Sequence, residues 1–293
     1  MSSPMTTPPR RSDFRLFHRL RVRWVEVDMQ KIVFNAHYLM YFDTAMADYW
    51  RALAMPYEES MQALDGDLYV KKATVEFTAS ARMDDVLDVA LRCARVGTSS
   101  IVFAGALFRG DELLVTCELI YVFADPATQT SKPVPEALRA TLAAYEAGEP
   151  MRELVVGDWQ KLASGAGALR RMVFVKEQRI PEALEWDEFD ATALHCVALN
   201  RLGRVIGTAR LIAESAGVGR IGRMAVFRAL RGGGHGAAVL QALEEAARAR
   251  GDREVTLHAQ RSAEDFYRRL GYSPSGEPFE EAGIAHIEMR RTL

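Results

Sequence analysis

Cysteine is scarce in this 293-residue sequence: Cys93, Cys117 and Cys196 stand far apart and form no C-x-x-C pair. That spacing argues against both a disulfide framework and a zinc site, and the three read as buried thiols in a reducing cytosol. Also missing is any uninterrupted apolar run of about 18 residues, and the Ser-, Thr-, Pro- and Arg-rich stretch 1–12 lacks the apolar core of a secretion signal. A soluble cytoplasmic protein with no membrane partner and no metal is the expectation. Basic charge is not in excess: 37 Lys and Arg face 39 Asp and Glu, for a net charge of −2 and a pI near 6.3. This balance argues against a general nucleic-acid binder. No internal repeat runs through the chain.

What is present is a composition 49% hydrophobic and 26% charged, enough to bury a normal core, over a length natural for two domains. Leu20, Val22 and Trp24 alternate with arginines between Phe14 and Val27, predicting a half-buried strand. From Tyr38, the apolar residues Leu39, Phe42, Met46, Tyr49, Trp50 and Leu53 recur at helical spacing until Pro56. Strands follow at Leu68 to Ala79, Val86 to Val96, Ser100 to Arg109 and Leu113 to Phe123. One long helix and about five antiparallel strands predict a curved sheet wrapped around the helix, a hot-dog architecture of α+β class. A helix from Pro135 to about Tyr145 and the weakly patterned Gly148, Pro150 and Gly157 then mark a boundary near residue 150. We expect a disordered tail at 1–13, a first domain at 14–148, a linker at 149–155 and a second domain at 156–293. The second half reads as α/β: a helix, a strand pair at Leu194 to Asn200 and Val205 to Ala213, then strand, glycine loop, helix, strand, helix and strand.

Two constellations carry chemistry. In the first, Asp28 lies in a loop seven residues before Asn35 near a helix start. First-turn N–H groups lack internal partners and sit at the positive end of the helix, where they can hold an oxyanion, while a nearby carboxylate attacks a carbonyl or activates water. Asp28, Val33, Phe34 and Tyr38 fit D-x-x-G-h-V-a-x-x-x-Y (h hydrophobic, a aromatic), and residues 14–145 resemble 4-hydroxybenzoyl-CoA-type thioesterases. The resemblance implies Asp28 as the catalytic carboxylate and the Asn35 N–H as the oxyanion donor. Lys31 departs from the family, standing where glycine is usual. If that glycine has positive φ, the lysine must take strain or redirect the loop. Asp43 is the second-choice carboxylate, and His37 is read as structural.

In the second constellation, the run from Ile221 to Leu240 places Arg231, Gly232, Gly233, Gly234, His235 and Gly236 between a strand and a helix. Glycines there let backbone N–H groups approach a pyrophosphate at the positive helix end. Arg231, Gly234 and Gly236 fit Q/R-x-x-G-x-G/A, and Ala263, Phe266, Tyr267, Gly271 and Tyr272 fit A-x-x-F-Y-x-x-x-G-F/Y. Residues 153–293 thereby resemble the GNAT acyltransferases. The resemblance implies an α/β GNAT domain that binds coenzyme A or acetyl-CoA along Met224, Ala225 and Val226 and over Arg231 to Ala237. It also implies that Tyr267 protonates the departing thiolate. Glu177, His195 and His286 have side chains suited to a general base. Seven arginines between Arg201 and Arg231, with Glu214 the one acid among them, read as phosphate steering or plain solvation.

Together these readings imply a bifunctional enzyme that hydrolyses an acyl-CoA and transfers an acyl, most simply acetyl, group to an amine. Two other readings are a thioesterase regulated by a CoA-binding half, and an acetyltransferase on an inactive hot-dog scaffold. Hot-dog domains pair through edge strands, so a homodimer or homotetramer is implied.

Overall fold

The computed structural model describes residues 7–293, and the chain divides into two compact units, Met1–Met151 and Arg152–Leu293. In the first, β1 (Leu16–Arg21), β2 (Asp67–Phe77), β3 (Val86–Val96), β4 (Ser100–Arg109) and β5 (Glu112–Ala124) form one antiparallel sheet in the order β1-β3-β4-β5-β2. Helix α1 (Asn35–Ala52) buries Tyr38, Tyr41, Phe42, Ala45, Met46, Tyr49 and Trp50, the spacing that keeps one helical face on a sheet. Gly105 on β4 makes the seat: a Cβ there would fall 2.6 Å from the Phe42 ring, so only a bare backbone admits the helix this closely. Helices α2 (Tyr57–Ala63) and α3 (Glu136–Ala147) complete the unit, α3 closing on Gly148 at φ 84°.

Two expectations change here. The strand predicted through Trp24 stops at Arg21, and Trp24–Glu26 is a 3-10 turn with Trp24 79% exposed. Glu26 turns inward instead, because its carboxylate accepts the Tyr41 hydroxyl at 2.7 Å and the Arg23 N–H at 2.7 Å. The disordered tail expected at 1–13 falls partly outside the described residues; within them, Arg11–Asp13 forms a 3-10 turn. The Arg11 guanidinium lies 2.9 Å from Asp88 and 4.6 Å from the centre of the Phe17 ring, which fastens the segment to the sheet.

The second unit runs β6 (Arg152–Gly157), α4 (Trp159–Arg170), a π-helical stretch Arg171–Glu177, α5 (Glu182–Glu185), β7 (Leu194–Asn200), β8 (Val205–Ser215), β9 (Val218–Val226), α6 (His235–Arg250), β10 (Glu254–Gln260), α7 (Glu264–Arg269), β11 (Ser273–Glu281) and β12 (Ile284–Thr292). Its seven strands order as β11-β12-β10-β9-β8-β7-β6, and α4 and α6 pack on them. Residues 152–157, read from sequence as mostly linker, form an edge strand paired with β7 from Arg152↔Asn200 to Gly157↔His195. The short Leu154–Val156 alternation was masked by the surrounding Gly and Pro. The final strand expected is a hairpin of two, turning at Ala282 and Gly283.

β9 and β10 are the one parallel pair among the described residues, and they pair only at Val218–Arg220 against Glu254–Thr256. Beyond Arg220 and Thr256 they share no register, so the sheet opens between them. A bulge in β9 lies at the same level. Thr208 pairs Ala225 and Arg210 pairs Gly222, leaving Arg223 and Met224 without partners on β8, with Arg223 at φ 50°.

Candidate active sites

Asp28 opens a closed turn in the first unit. Its N–H donates to the Ile32 carbonyl at 2.9 Å, the Lys31 N–H returns to the Asp28 carbonyl at 2.9 Å, and Val27 bridges to Val33. Lys31 adopts φ 62°, keeping the left-handed path that a glycine would take at no steric cost. A lysine in that conformation stores strain of about 1 kcal/mol in the loop. Asp28 Oδ1 accepts the Gln30 N–H at 2.8 Å, and its other oxygen has no protein donor among the described residues. The start of α1 is pinned by Val33 N–H on Ala81 and Phe34 N–H on the Glu26 carbonyl, both 2.9 Å. The N–H groups of Asn35 and Ala36, next in line, find no acceptor among the described residues. Asp43 is exposed on α1, and His37 packs edge-on to Phe34 at 6.0 Å.

Sequence reasoning missed Glu26. It is 2% exposed, yet its carboxyl is held below the usual carboxylate range. Burial pushes it up, and bonds from the Arg23 N–H, the Arg23 guanidinium and the Tyr41 hydroxyl outweigh that push. The Arg23–Glu26 spacing of three was the available signal.

In the second unit the glycine loop is shaped, not slack. Gly232 at φ 87° and Gly234 at φ 76° occupy backbone that side chains resist, and Gly234 caps α6. The N–H groups of Gly234, His235 and Gly236 have no acceptor among the described residues, and the loop from Arg231 to Gly234 is exposed. The His235 side chain is buried: it is 5% exposed, its Nδ1 has no partner, and burial lowers it to about 4, so the imidazole is neutral. Its backbone N–H is the part available at the loop. Arg231, expected on the pyrophosphate, is held by Glu177 in a two-pronged pair of 2.6 and 2.9 Å.

Where β9 and β10 part lies a cavity of about 440 Å³, lined among others by Phe174, Gln178, Arg223, Met224, His258 and Tyr267. The Tyr267 hydroxyl donates to Met224 Sδ at 3.4 Å. Burial lifts the phenol to about 12, so it keeps its proton through the neutral range. Of the three general-base candidates, His286 lines this cavity with Nδ1 2.7 Å from the Ile284 carbonyl. Glu177 is on Arg231 instead. His195 is 1% exposed, hydrogen-bonded to the Asp190 carbonyl at 2.9 Å and packed 4.7 Å from Trp159, a core residue whose burial favours the neutral ring.

The wall formed by α5 and the segment after it is organised by Arg170, which sequence reasoning also missed. At 1% exposure it reaches Glu185 at 2.5 Å and Asp190 at 2.6 Å, with the Trp159 and Trp186 rings 5.2 and 4.8 Å from its guanidinium carbon. Arg210 pairs with Asp187 at 2.6 Å and Asp190 at 2.7 Å, and Arg223 with Asp187 at 3.1 Å. Within the arginine bias read between Arg201 and Arg231, Arg210, Arg223 and Arg231 are thus met by acids distant in sequence. Glu185 is raised, because burial outweighs Arg170 and Arg223; Asp190 is lowered, because its two arginine partners outweigh burial. Among the described residues no cluster of three or more His, Cys, Asp or Glu could hold a metal, and no helix is long and apolar enough to cross a membrane.

These two sheets, one wrapped on a helix and one opened beside a glycine-capped helix, define two domains of different fold. Family comparison agrees: residues 22–142 match the thioesterase-like superfamily and residues 160–293 the acetyltransferase (GNAT) domain. The C-terminal half belongs to the GNAT acetyltransferases, and the N-terminal half is a thioesterase-like hot-dog domain. Bacillus subtilis YjcF, described as an uncharacterized N-acetyltransferase, is 35% identical over 124 residues, 42% of this chain and 87% of YjcF. The Escherichia coli acyl-CoA thioester hydrolase YbgC is 26% identical over 125 residues, 41% of this chain and 90% of YbgC. The solved structure of Slr0204, a 1,4-dihydroxy-2-naphthoyl-CoA thioesterase from Synechocystis, is 15% identical with a TM-score of 0.41, over 44% of this chain and 95% of that one. Both families handle CoA-linked substrates.

Proposed function

We propose that the chain is a bifunctional acyl-CoA enzyme: the first unit hydrolyses an acyl-CoA thioester, and the second transfers an acyl group, acetyl in the simplest case, from CoA to an amine. The observation that carries the reading is the placement of the Tyr267 phenol against Met224, inside a cavity at the strand opening. The same strand, β9, leads from there into the glycine loop. CoA's pyrophosphate would lie on the N–H groups of Gly234, His235 and Gly236, with Arg231 exchanging Glu177 for a phosphate oxygen. Its pantetheine arm would run along Met224, Ala225 and Val226, bringing the thioester to Tyr267. In the first unit Asp28 would attack the thioester carbonyl or activate water against it, and the free N–H of Asn35 would take the oxyanion. Hydrolysis in one unit consumes the donor of the other unless the units take different acyl chains, so we assign them different chains. The long edge strand β2 is the surface for pairing two copies.

Rates of hydrolysis and of amide formation, followed separately by mass spectrometry over a panel of acyl-CoAs and primary amines, test this. Asp28→Ala should lower hydrolysis by about 10²-fold or more and leave transfer intact; Tyr267→Phe should do the reverse. Equal hydrolysis by wild type and Asp28→Ala would remove Asp28 from the mechanism. A monomer in light scattering would remove the pairing.

A further inference from the structure

We infer that His258 is the catalytic residue that deprotonates the acceptor amine, with Glu281 as its positioning residue; this rests on the transfer reading above. Side chains on β10 alternate, so His258 and Gln260 share one face of the sheet, and their partners across the ladder on β12 are Glu288 and His286. His258, Gln260, His286 and Glu281 line the same cavity as Met224 and Tyr267. His258 Nδ1 lies 3.1 Å from Glu281 Oε2, and its side chain keeps 32% of its surface exposed. A carboxylate on Nδ1 fixes the tautomer with the proton there, turns the ring and stabilises the imidazolium that forms on proton uptake. Nε2 is left with its lone pair and no protein partner among the described residues. The Phe279 ring, edge-on at 4.9 Å, bounds the imidazole on another side.

The other basic groups at this cavity are differently engaged. His286 has a backbone carbonyl on Nδ1, and no carboxylate hydrogen-bonds its ring among the described residues. Asp187 is bonded by Arg210 and Arg223, and Glu185 by Arg170. The groups near the dyad from neighbouring elements are His286 and Glu288 on β12 and Arg223 on β9; the charges of His286 and Arg223, after the hydrogen bond from His258, help keep Glu281 ionised. An ionised Glu281 also favours an acceptor that arrives as an ammonium ion.

Nε2 takes one proton from the ammonium and passes it to water. The neutral nitrogen attacks the thioester carbon, forming the C–N bond, and the C–S bond then breaks. The sulfur takes the phenolic proton of Tyr267, and the proton remaining on the positively charged nitrogen of the intermediate restores the phenol. Ammonium and thioester become amide and thiol, with one proton released to solvent. Tyr267, at about 12, is a weaker acid than a thiol. Its donation is therefore drawn forward by the far more acidic nitrogen that refills it.

The test uses the full chain with acetyl-CoA, primary alkylamines, and hydroxylamine, an acceptor already unprotonated at neutral pH, with product detected by mass spectrometry and CoA affinity by calorimetry. His258→Gln should lower kcat for alkylamines about 10²-fold or more while CoA affinity and the rate with hydroxylamine stay within about twofold. Glu281→Gln should lower kcat with little change in KM for the amine, and Glu281→Asp should recover part of it. Wild-type kcat in His258→Gln, or an equal loss with hydroxylamine, would overturn the assignment while leaving the transfer reading standing. A wild-type protein that acetylates none of these acceptors would overturn both.

Discussion

The first unit seats α1 on its sheet through apolar side chains and keeps its candidate carboxylate at the surface, whereas the second lines its cavity with a wall held by buried charge. In the first, Phe42 settles into the space above Gly105, and nothing ionic enters that contact. In the second, Arg170, Glu185, Asp190 and Arg210 have side chains only 1 to 7% exposed and bond one another. An apolar contact degrades by degrees when trimmed, but removing one member of a buried ionic set leaves the others unpaired in a medium that cannot solvate them. The second unit's cavity wall should therefore be the more sharply specified and the more easily lost.

The largest effect should come from Arg170→Ala, which takes from Glu185 and Asp190 the buried guanidinium they share. We expect about 3–5 kcal/mol of destabilisation of the second unit in urea unfolding. Amide formation should disappear while thioester hydrolysis persists. Unchanged unfolding would mean the network is not what holds the wall. Next, Gly105→Ala pushes a methyl into Phe42 and should cost the first unit about 1–3 kcal/mol in the same assay, without the abrupt loss expected of Arg170→Ala.

The comparison can be sharpened by acid. Asp88, 6% exposed, accepts from Arg19 and Arg11 at 2.9 Å each, and these guanidinium bonds outweigh its burial to hold the carboxyl below its ordinary value. A depressed folded value stabilises the fold above the unfolded pKa, near 4, and this contribution fades as pH falls through the folded value. Asp88→Asn should cost about 1 kcal/mol at neutral pH, the low end because Arg19 is largely exposed. That cost should shrink below about pH 4 in denaturation curves. Glu185 carries the opposite sign: raised by burial, it disfavours the fold where ionised and relieves that penalty as it protonates. The smallest effect is Lys31→Gly. Relief of left-handed strain is offset by the freedom glycine gains when unfolded, so the net change should stay within about 1 kcal/mol by thermal melt.

The sequence made legible what depends on neighbours along the chain. The alternation in β3 and β4 and the spacing of α1 mapped directly onto buried faces, and Gly232 and Gly234 occupy the left-handed backbone that a glycine-rich loop permits. What it hid depends on partners far away in number. Trp24 alternates properly but is displaced outward because Glu26 finds Tyr41 fifteen positions on. The arginine run looked like a charged surface until Asp187, Asp190 and Glu177 arrived to meet it. His258 drew no notice as a lone histidine in a strand, because Glu281, the residue that gives it a direction, lies in a different hairpin.

The strand β6 bears on how this chain can be cut. It caps the open side of β7 with six paired residues, Arg152 to Gly157, immediately before α4. A fragment beginning at residue 158 would bare the N–H and C=O row of β7, whose Cys196, Val197 and Ala198 are at most 1% exposed in the intact sheet. Such an edge invites pairing between molecules. Separating the halves between Gly148 and Met151 instead keeps that edge covered, so the position of the cut by a few residues decides whether the buried edge of β7 is bared.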